Sequence, residues 1–180
     1  MRYVIGIDVG IKNLGICVFD FSTAKFVLWD NVALVPNGKY QPCNNVQYVR
    51  EFTQRYESFF NEPCYVLVER QMRCNMRIIE SVLQSMFFES CIIINPRSVK
   101  SHYGLSMKNY RLNKQRAVEW AEEFTRVNSS AFIPGATSSF ELQSKKDDIA
   151  DALLLICYYL DTYSNQFTGD FIAPDVTVGS

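Results

Sequence analysis

Four carboxylates stand where acids are least expected. Asp8 closes an otherwise apolar run that begins at Tyr3, and Glu69 closes another that runs from Tyr65 to Val68. Asp148 and Asp151 lie three apart at the start of a long apolar segment. Ligand and catalytic groups in open α/β sheets gather at the carboxyl ends of strands, and two acids three apart on a helix share one face. Like charges packed together raise one another's proton affinity, so four of them in one cleft point to a bound cation. Oxygen-only ligation, in a chain whose one histidine is His102, favours magnesium, with manganese as a substitute, over zinc or copper. Two such ions about 4 Å apart can activate an attacking water and stabilise the leaving oxygen of a phosphodiester. Each acid also has a plainer use. Asp148 and Asp151, with Asp147 beside them, can serve the helix dipole; Asp8 can cap a turn, and Glu69 can pair with Arg70 or Arg73.

The elements that must carry these acids follow from periodicity. Residues 2–9 are rich in β-branched side chains and stop at Gly10, and residues 15–21 resume the pattern, which predicts a hairpin with a loop around Lys12 and Asn13. Alternation along the first strand sets Val4, Gly6 and Asp8 on the face opposite Ile5, Ile7 and Val9. A third strand covers 25–33, and 35–44, with Pro36, Gly38 and Pro42, is a loop. Apolar residues at steps of three and four predict an amphipathic helix over 46–60, capped by Asn44 or Asn45. Residues 65–68 are short and fully apolar, as in a buried parallel strand. A helix over 75–88, a strand over 91–94 closed by Asn95 and Pro96, a helix over 112–127, a small-residue loop over 128–140 and a helix over 147–163 complete the order. This order implies an α/β fold: a mixed five-stranded sheet with helices on both faces. One domain over 1–165 and a tail over 166–180 without periodicity are expected.

Composition bounds the rest. A chain of 180 residues with 48% apolar and 14% aromatic content fills one core. No window approaches the roughly 18 uninterrupted apolar residues of a membrane span, and neither a secretory leader nor an Arg-rich amphipathic one is visible, which weighs against mitochondrial import. Six cysteines without short paired spacing suggest buried thiols in a reducing compartment rather than a zinc site or a disulfide framework. The net charge of −1 hides an uneven distribution. No acid falls between Glu89 and Glu119, whereas Arg97, Lys100, Lys108, Arg111, Lys114 and Arg116 do, interleaved with Tyr103 and Tyr110. Such a segment can lie along a phosphate backbone.

Four stretches resemble one family, the RuvC-like Holliday junction resolvases, and most of all its poxvirus branch and the related fungal mitochondrial enzymes. IGIDVGIKNLGICVFD resembles the first strand, VLVERQMR the strand ending on the second acid with an Arg-Gln pair after it, NPRSVKSHYG with NKQRAV the strand exit and a lysine-bearing helix, and KKDDIADALLL the paired-aspartate helix. The resemblance implies a ribonuclease-H-like fold and a homodimer that nicks a four-way DNA junction symmetrically, with two magnesium ions per site. It implies Asp8 bridging the metals, Glu69 and Asp151 completing their shells, and Asp148 binding metal or orienting water. Lys114 would offset charge on the phosphate, a role that Lys108 or Arg111 could also fill. DNA contacts are expected from Lys12, Arg70, Arg73, Arg97, Lys100, Lys108, Arg111 and Arg116, and the viral branch implies action in host cytoplasm. The helix after Glu69 would contribute to the dimer. A nuclease for other branched DNA or structured RNA, and a junction-binding module without catalysis, are the competing readings. Sugar kinases and actin-like ATPases share an Asp-x-Gly hairpin, but they are bilobal and far longer and carry a second such loop and a glycine-rich adenosine site, none of which is visible in this sequence.

Overall fold

The computed structural model describes residues 1–35, 38–107, 109–142, 146–163, 171 and 174. Its centre is a five-stranded sheet of β1 (Tyr3–Asp8), β2 (Leu14–Asp20), β3 (Lys25–Val32), β4 (Cys64–Glu69) and β5 (Cys91–Ile94), ordered β3-β2-β1-β4-β5. The first three strands meander antiparallel because their links are short, whereas β4 and β5 join β1 in parallel through helical crossovers. Those helices are α1 (Asn45–Arg55) and α2 (Glu57–Phe60) before β4, then α3 (Cys74–Met86) before β5. After β5 come α4 (Pro96–His102), α5 (Tyr110–Val127), α6 (Ser138–Leu142) and α7 (Asp147–Tyr163).

Both faces of β1 and β2 are buried, which explains their nearly continuous apolar sequence. Ile5, Ile7, Ile16, Val18, Val66 and Val68 pack with Val49 and Phe52 of α1 and with Ile79 and Leu83 of α3. Val4, Cys17, Phe19 and Leu67 look the other way, onto the apolar body of α7, with α5 outside it. The alternation expected for β1 therefore holds, and it puts Gly6 and Asp8 on the α7 side.

Two glycines let α7 come close. A Cβ on Gly15 would stand 2.0 Å from the carbonyl oxygen of Asp148, and one on Gly6 would stand 2.5 Å from that of Ala152. No side chain fits at either distance, so the first two turns of α7 lie directly on β1 and β2. Trp29 of β3 fixes the same end by donating its indole N–H to the carbonyl of Ile149 over 2.7 Å.

The structure differs from the periodicity reading at three places. The single helix expected over 46–60 breaks at Tyr56 into α1 and α2, and Asn44, although at the N-cap position, makes no capping hydrogen bond with its side chain. Asn45 is buried and accepts from the Tyr40 hydroxyl instead. Helix α4 occupies the stretch read as a strand exit: Pro96 opens it and Asn95 caps it, accepting from the Arg97 amide. The loop expected over 128–140 contains a 3₁₀ turn, Ser129–Ala131, and runs into α6. Part of the loop over 35–44 and most of the tail over 166–180 lie outside the described residues. Phe171 of that tail packs its ring against Phe19, Phe26 and Phe124.

Candidate metal centre

Register brings the first two acids together. Strands β1 and β4 run parallel with Ile7 beside Val68, so the next residues, Asp8 and Glu69, leave the sheet side by side at its carboxyl edge. Both belong to the face that α7 covers. On that helix Asp148 is in the first turn and Asp151 lies nearly one turn further, facing β1 across the close approach made by Gly15 and Gly6. Asp8, Glu69 and Asp151 each place a carboxylate oxygen within 4.8 Å of the other two. Asp148 joins them in lining one open cleft of about 660 Å³.

Burial and mutual repulsion both act on these acids. Burial raises the proton affinity of Asp8 well above the usual carboxylate range, and the charges of Glu69, Asp151 and Asp148 push it further. Burial, then Asp151, pushes Glu69 up to about 8, against the pull of Lys100 and Lys114. Asp151 is raised as well, by burial that Lys100 only partly offsets. Lys100 donates to Asp151 Oδ2 over a long 3.4 Å and approaches Oδ1 at 3.3 Å without hydrogen-bond alignment, so Oδ1 is buried and accepts no hydrogen bond among the described residues. Three crowded, partly unsatisfied carboxylates fit a hard divalent cation, whose charge would reverse the cost of ionising them. Neither histidine nor cysteine belongs to this group, so the ligand atoms it offers are all carboxylate oxygens.

Two lysines serve the site differently. Lys100, from α4, reaches the acids themselves; burial disfavours its charge, but Asp151 and Glu69 outweigh that and hold it protonated. Lys114, from α5, pairs with Asp147 and lies 5.3 Å from the ring centroid of Tyr110. Burial opposes its charge, while the bond to Asp147 more than compensates and raises its proton affinity. The neighbouring aspartates thus divide the work, Asp147 holding Lys114 while Asp148 faces the cleft.

Of the basic residues expected to meet a nucleic acid, Lys12 from the β1–β2 loop, Arg70, Arg73 and Lys100 line the cleft. Arg97 and Arg111 are exposed on α4 and α5 and Arg116 is half-buried, none of them lining the cleft. Lys108 lies outside the described residues. Phe132 and Phe140, which flank the loop before α7, are buried and stack on Phe26 and Trp29, so they anchor that loop to the core.

Gln71 had no role assigned from sequence. Its side-chain amide donates to Asp8 Oδ1 over 3.2 Å and to the Glu69 carbonyl over 3.1 Å. Its position two residues after an acid at a strand end was the available signal, but nothing in the sequence pointed its side chain back to another strand.

A family model described as Poxvirus A22 protein matches residues 2–162. No curated protein sequence matches the chain. Among solved structures, the fowlpox virus Holliday junction resolvase superposes with a TM-score of 0.62 at 21% identity, covering 88% of this chain and 97% of that one. A complex of fowlpox virus resolvase with substrate Holliday junction DNA gives 0.58 at 19% identity, over 88% and 97%. Thermus thermophilus RuvC gives 0.50 at 18% identity, over 88% and 95%. Fold and strand order are those of the RuvC, ribonuclease-H-like class.

Proposed function

Because this chain belongs to the poxvirus A22 protein family, we propose that it is a Holliday junction resolvase: a divalent-metal-dependent endonuclease that, as a homodimer, makes paired symmetric nicks in four-way branched DNA. One observation carries the proposal. Three carboxylates, the buried Asp8 and Asp151 and the half-buried Glu69, converge within 4.8 Å in a cleft also lined by the exposed Lys12, Arg70 and Arg73. A scaffold that merely gripped a junction would gain nothing from buried negative charge aimed at a polyanion. The fowlpox virus enzyme in complex with its junction supports the choice of substrate.

In this reading Asp8, Glu69 and Asp151 would hold two magnesium ions, for which manganese would substitute. Bound there, the ions would supply Lewis acidity and a nucleophile competent at neutral pH. Asp148, at the cleft wall, either completes the ligand set or orients the attacking water. Lys114, kept charged by Asp147, offsets negative charge developing on the scissile phosphate, and Lys100 tempers the repulsion among the acids until the site fills. Lys12, Arg70 and Arg73 fix the sugar-phosphate backbone at the rim. Arg97, Arg111 and Arg116 extend that track along α4 and α5. The proposed place of action is the cytoplasm of the infected cell; among the described residues, no helix is long and apolar enough to cross a membrane.

The test is a substrate panel in magnesium: a mobile four-way junction, a flap, a plain duplex and an RNA–DNA hybrid. Paired nicks in the junction, lost on adding EDTA, are the expected outcome. Equal cutting of the plain duplex would overturn the junction reading, and preference for the flap or the hybrid would move the substrate to other branched DNA or RNA.

A further inference from the structure

Helix α3 faces two ways, and one of its residues reaches the metal centre through an intermediary. Glu80 is a carboxylate on the buried side of that helix, beside Ile79 and only 6% exposed. A buried carboxylate is costly unless it is hydrogen-bonded. It accepts the backbone N–H of Gln71 over 2.6 Å. The same residue turns its side chain the other way, so that one amide nitrogen with two hydrogens serves two acceptors, Asp8 Oδ1 and the Glu69 carbonyl. Gln71 is thus held at the main chain by a helix and at the side chain by two adjacent strand ends.

We propose that Gln71 is a positioning residue for Asp8, and that Glu80 of α3 holds it in place. The proposal rests on Asp8 being a cation ligand. A carboxylate free to turn about its last torsion must be ordered when a cation arrives, whereas one oxygen already held by an amide donor presents its remaining lone pairs in a set direction. The donor is also neutral. A hydrogen bond from it favours the ionised form of a carboxylate without adding a positive charge that would compete with the cation. A lysine at the same position would compete, and a glutamate would repel. The path from α3 through Glu80 and Gln71 to Asp8 consists of two hydrogen-bonded steps, and it begins on the helix whose outer side carries the proposed dimer contact.

The experiment measures manganese(II) binding by the full chain without DNA, following the free-ion EPR signal, in parallel with thermal melts of the metal-free protein. Gln71→Met keeps the length of the side chain and removes the donor. Its dissociation constant for manganese should rise at least about tenfold, the lower bound for losing an outer-shell partner. Glu80→Leu, which removes the acceptor, should weaken binding in the same direction, while Glu80→Gln, which retains a carbonyl acceptor, should stay within about twofold of the parent. The Glu80 pair also carries the test should Gln71→Met fail to fold. A lowered melting temperature with an unchanged dissociation constant in Gln71→Met would make the residue structural only and overturn the proposal. So would equal binding by Glu80→Leu and Glu80→Gln. A parent protein that binds no manganese would instead overturn the cation site itself, and this inference with it.

Discussion

At Asp151 two demands oppose each other, since the site needs the charge to hold a cation and the fold suffers from it. The carboxylate is buried and faces Asp8 and Glu69, and the long contact to Lys100, with Lys114 further off, offsets its charge only in part. Asp151→Asn removes the charge at nearly constant shape. Cleavage of a four-way junction should fall by roughly a thousandfold or more, the several kcal/mol a bound cation supplies at about 1.4 kcal/mol per tenfold. Junction binding in gel shift should hold or tighten, and the metal-free protein should melt higher. Full nicking activity in this variant would remove Asp151 from the site. The same crowding sets a pH dependence. Glu69 is raised to about 8 from an ordinary value near 4.5, so the native state holds more protons than the unfolded one across that interval. Stability of the metal-free protein is then greatest below the ordinary value and declines as pH rises through about 8. A bound cation keeps the carboxylates ionised and cancels the decline. Melting curves with and without magnesium should therefore show a larger gain at about pH 8 than at about pH 5.5; an equal gain at both would mean that Glu69 is no ligand. Placement drew notice to Asp8 and Glu69, because a charge closing an apolar strand is unusual, whereas Asp148 and Asp151 were separated from Asp147 only by the resemblance of KKDDIADALLL to the paired-aspartate helix. Neither showed that Lys100 would be the cation on Asp151 and Lys114 the one on Asp147, since that depends on how α4 and α5 settle against α7.

At the scale of elements, the site exists because α7 lies unusually close to two strands. Gly15, paired across the hairpin with Asp8, leaves room for the carbonyl of Asp148, and this contact fixes how far the aspartates of α7 stand from β1. Gly15→Ala puts a methyl where 2.0 Å is available, so helix or strand must move. Overpacking of this kind costs about 1–3 kcal/mol, and a displacement near 1 Å at a reacting centre costs on the order of a hundredfold in rate. The variant should melt several degrees lower and, at a temperature where it is folded, cleave about a hundredfold more slowly. Wild-type cleavage with a lowered melting temperature would show that the glycine serves packing alone. The close approach was hidden in sequence, where Gly15 reads only as the end of a loop. Strands β4 and β5 and helix α7 were legible because burial on all sides or on one stripe imposes a period on their residues. Helix α4 was not, although the Asn95-Pro96 pair is a helix start: at seven residues it is too short to establish a stripe. The break at Tyr56 was invisible because apolar side chains continue through it at helical spacing.

For the whole molecule, the outer side of α3 raises the question of a second copy. Ile79 and Leu83 face the sheet, yet Ile78 and Met86 on the same helix, with Phe88 just beyond it, are exposed, Phe88 at 75%. Ile78 and Met86 are two steps of four apart and so share a stripe with Val82 between them. Apolar stripes left open on a small domain mark an interaction surface more often than chance exposure does. A junction cut symmetrically in two strands needs two sites related by a twofold axis, and an isologous contact through this stripe would provide that axis with the same patch on both chains. The Ile78→Asp, Met86→Asp double variant buries nothing new in the monomer, so it should fold and keep its melting temperature within a few degrees. In sedimentation equilibrium the parent should run as two chains and the variant as one. On a four-way junction the variant should lose paired nicking, with any remaining cuts falling in single strands at uncorrelated times. A variant that still sediments as two chains would place the interface elsewhere. One that is monomeric and still makes paired nicks would break the link between dimer and symmetric cleavage, leaving each acidic cleft as a self-sufficient nuclease.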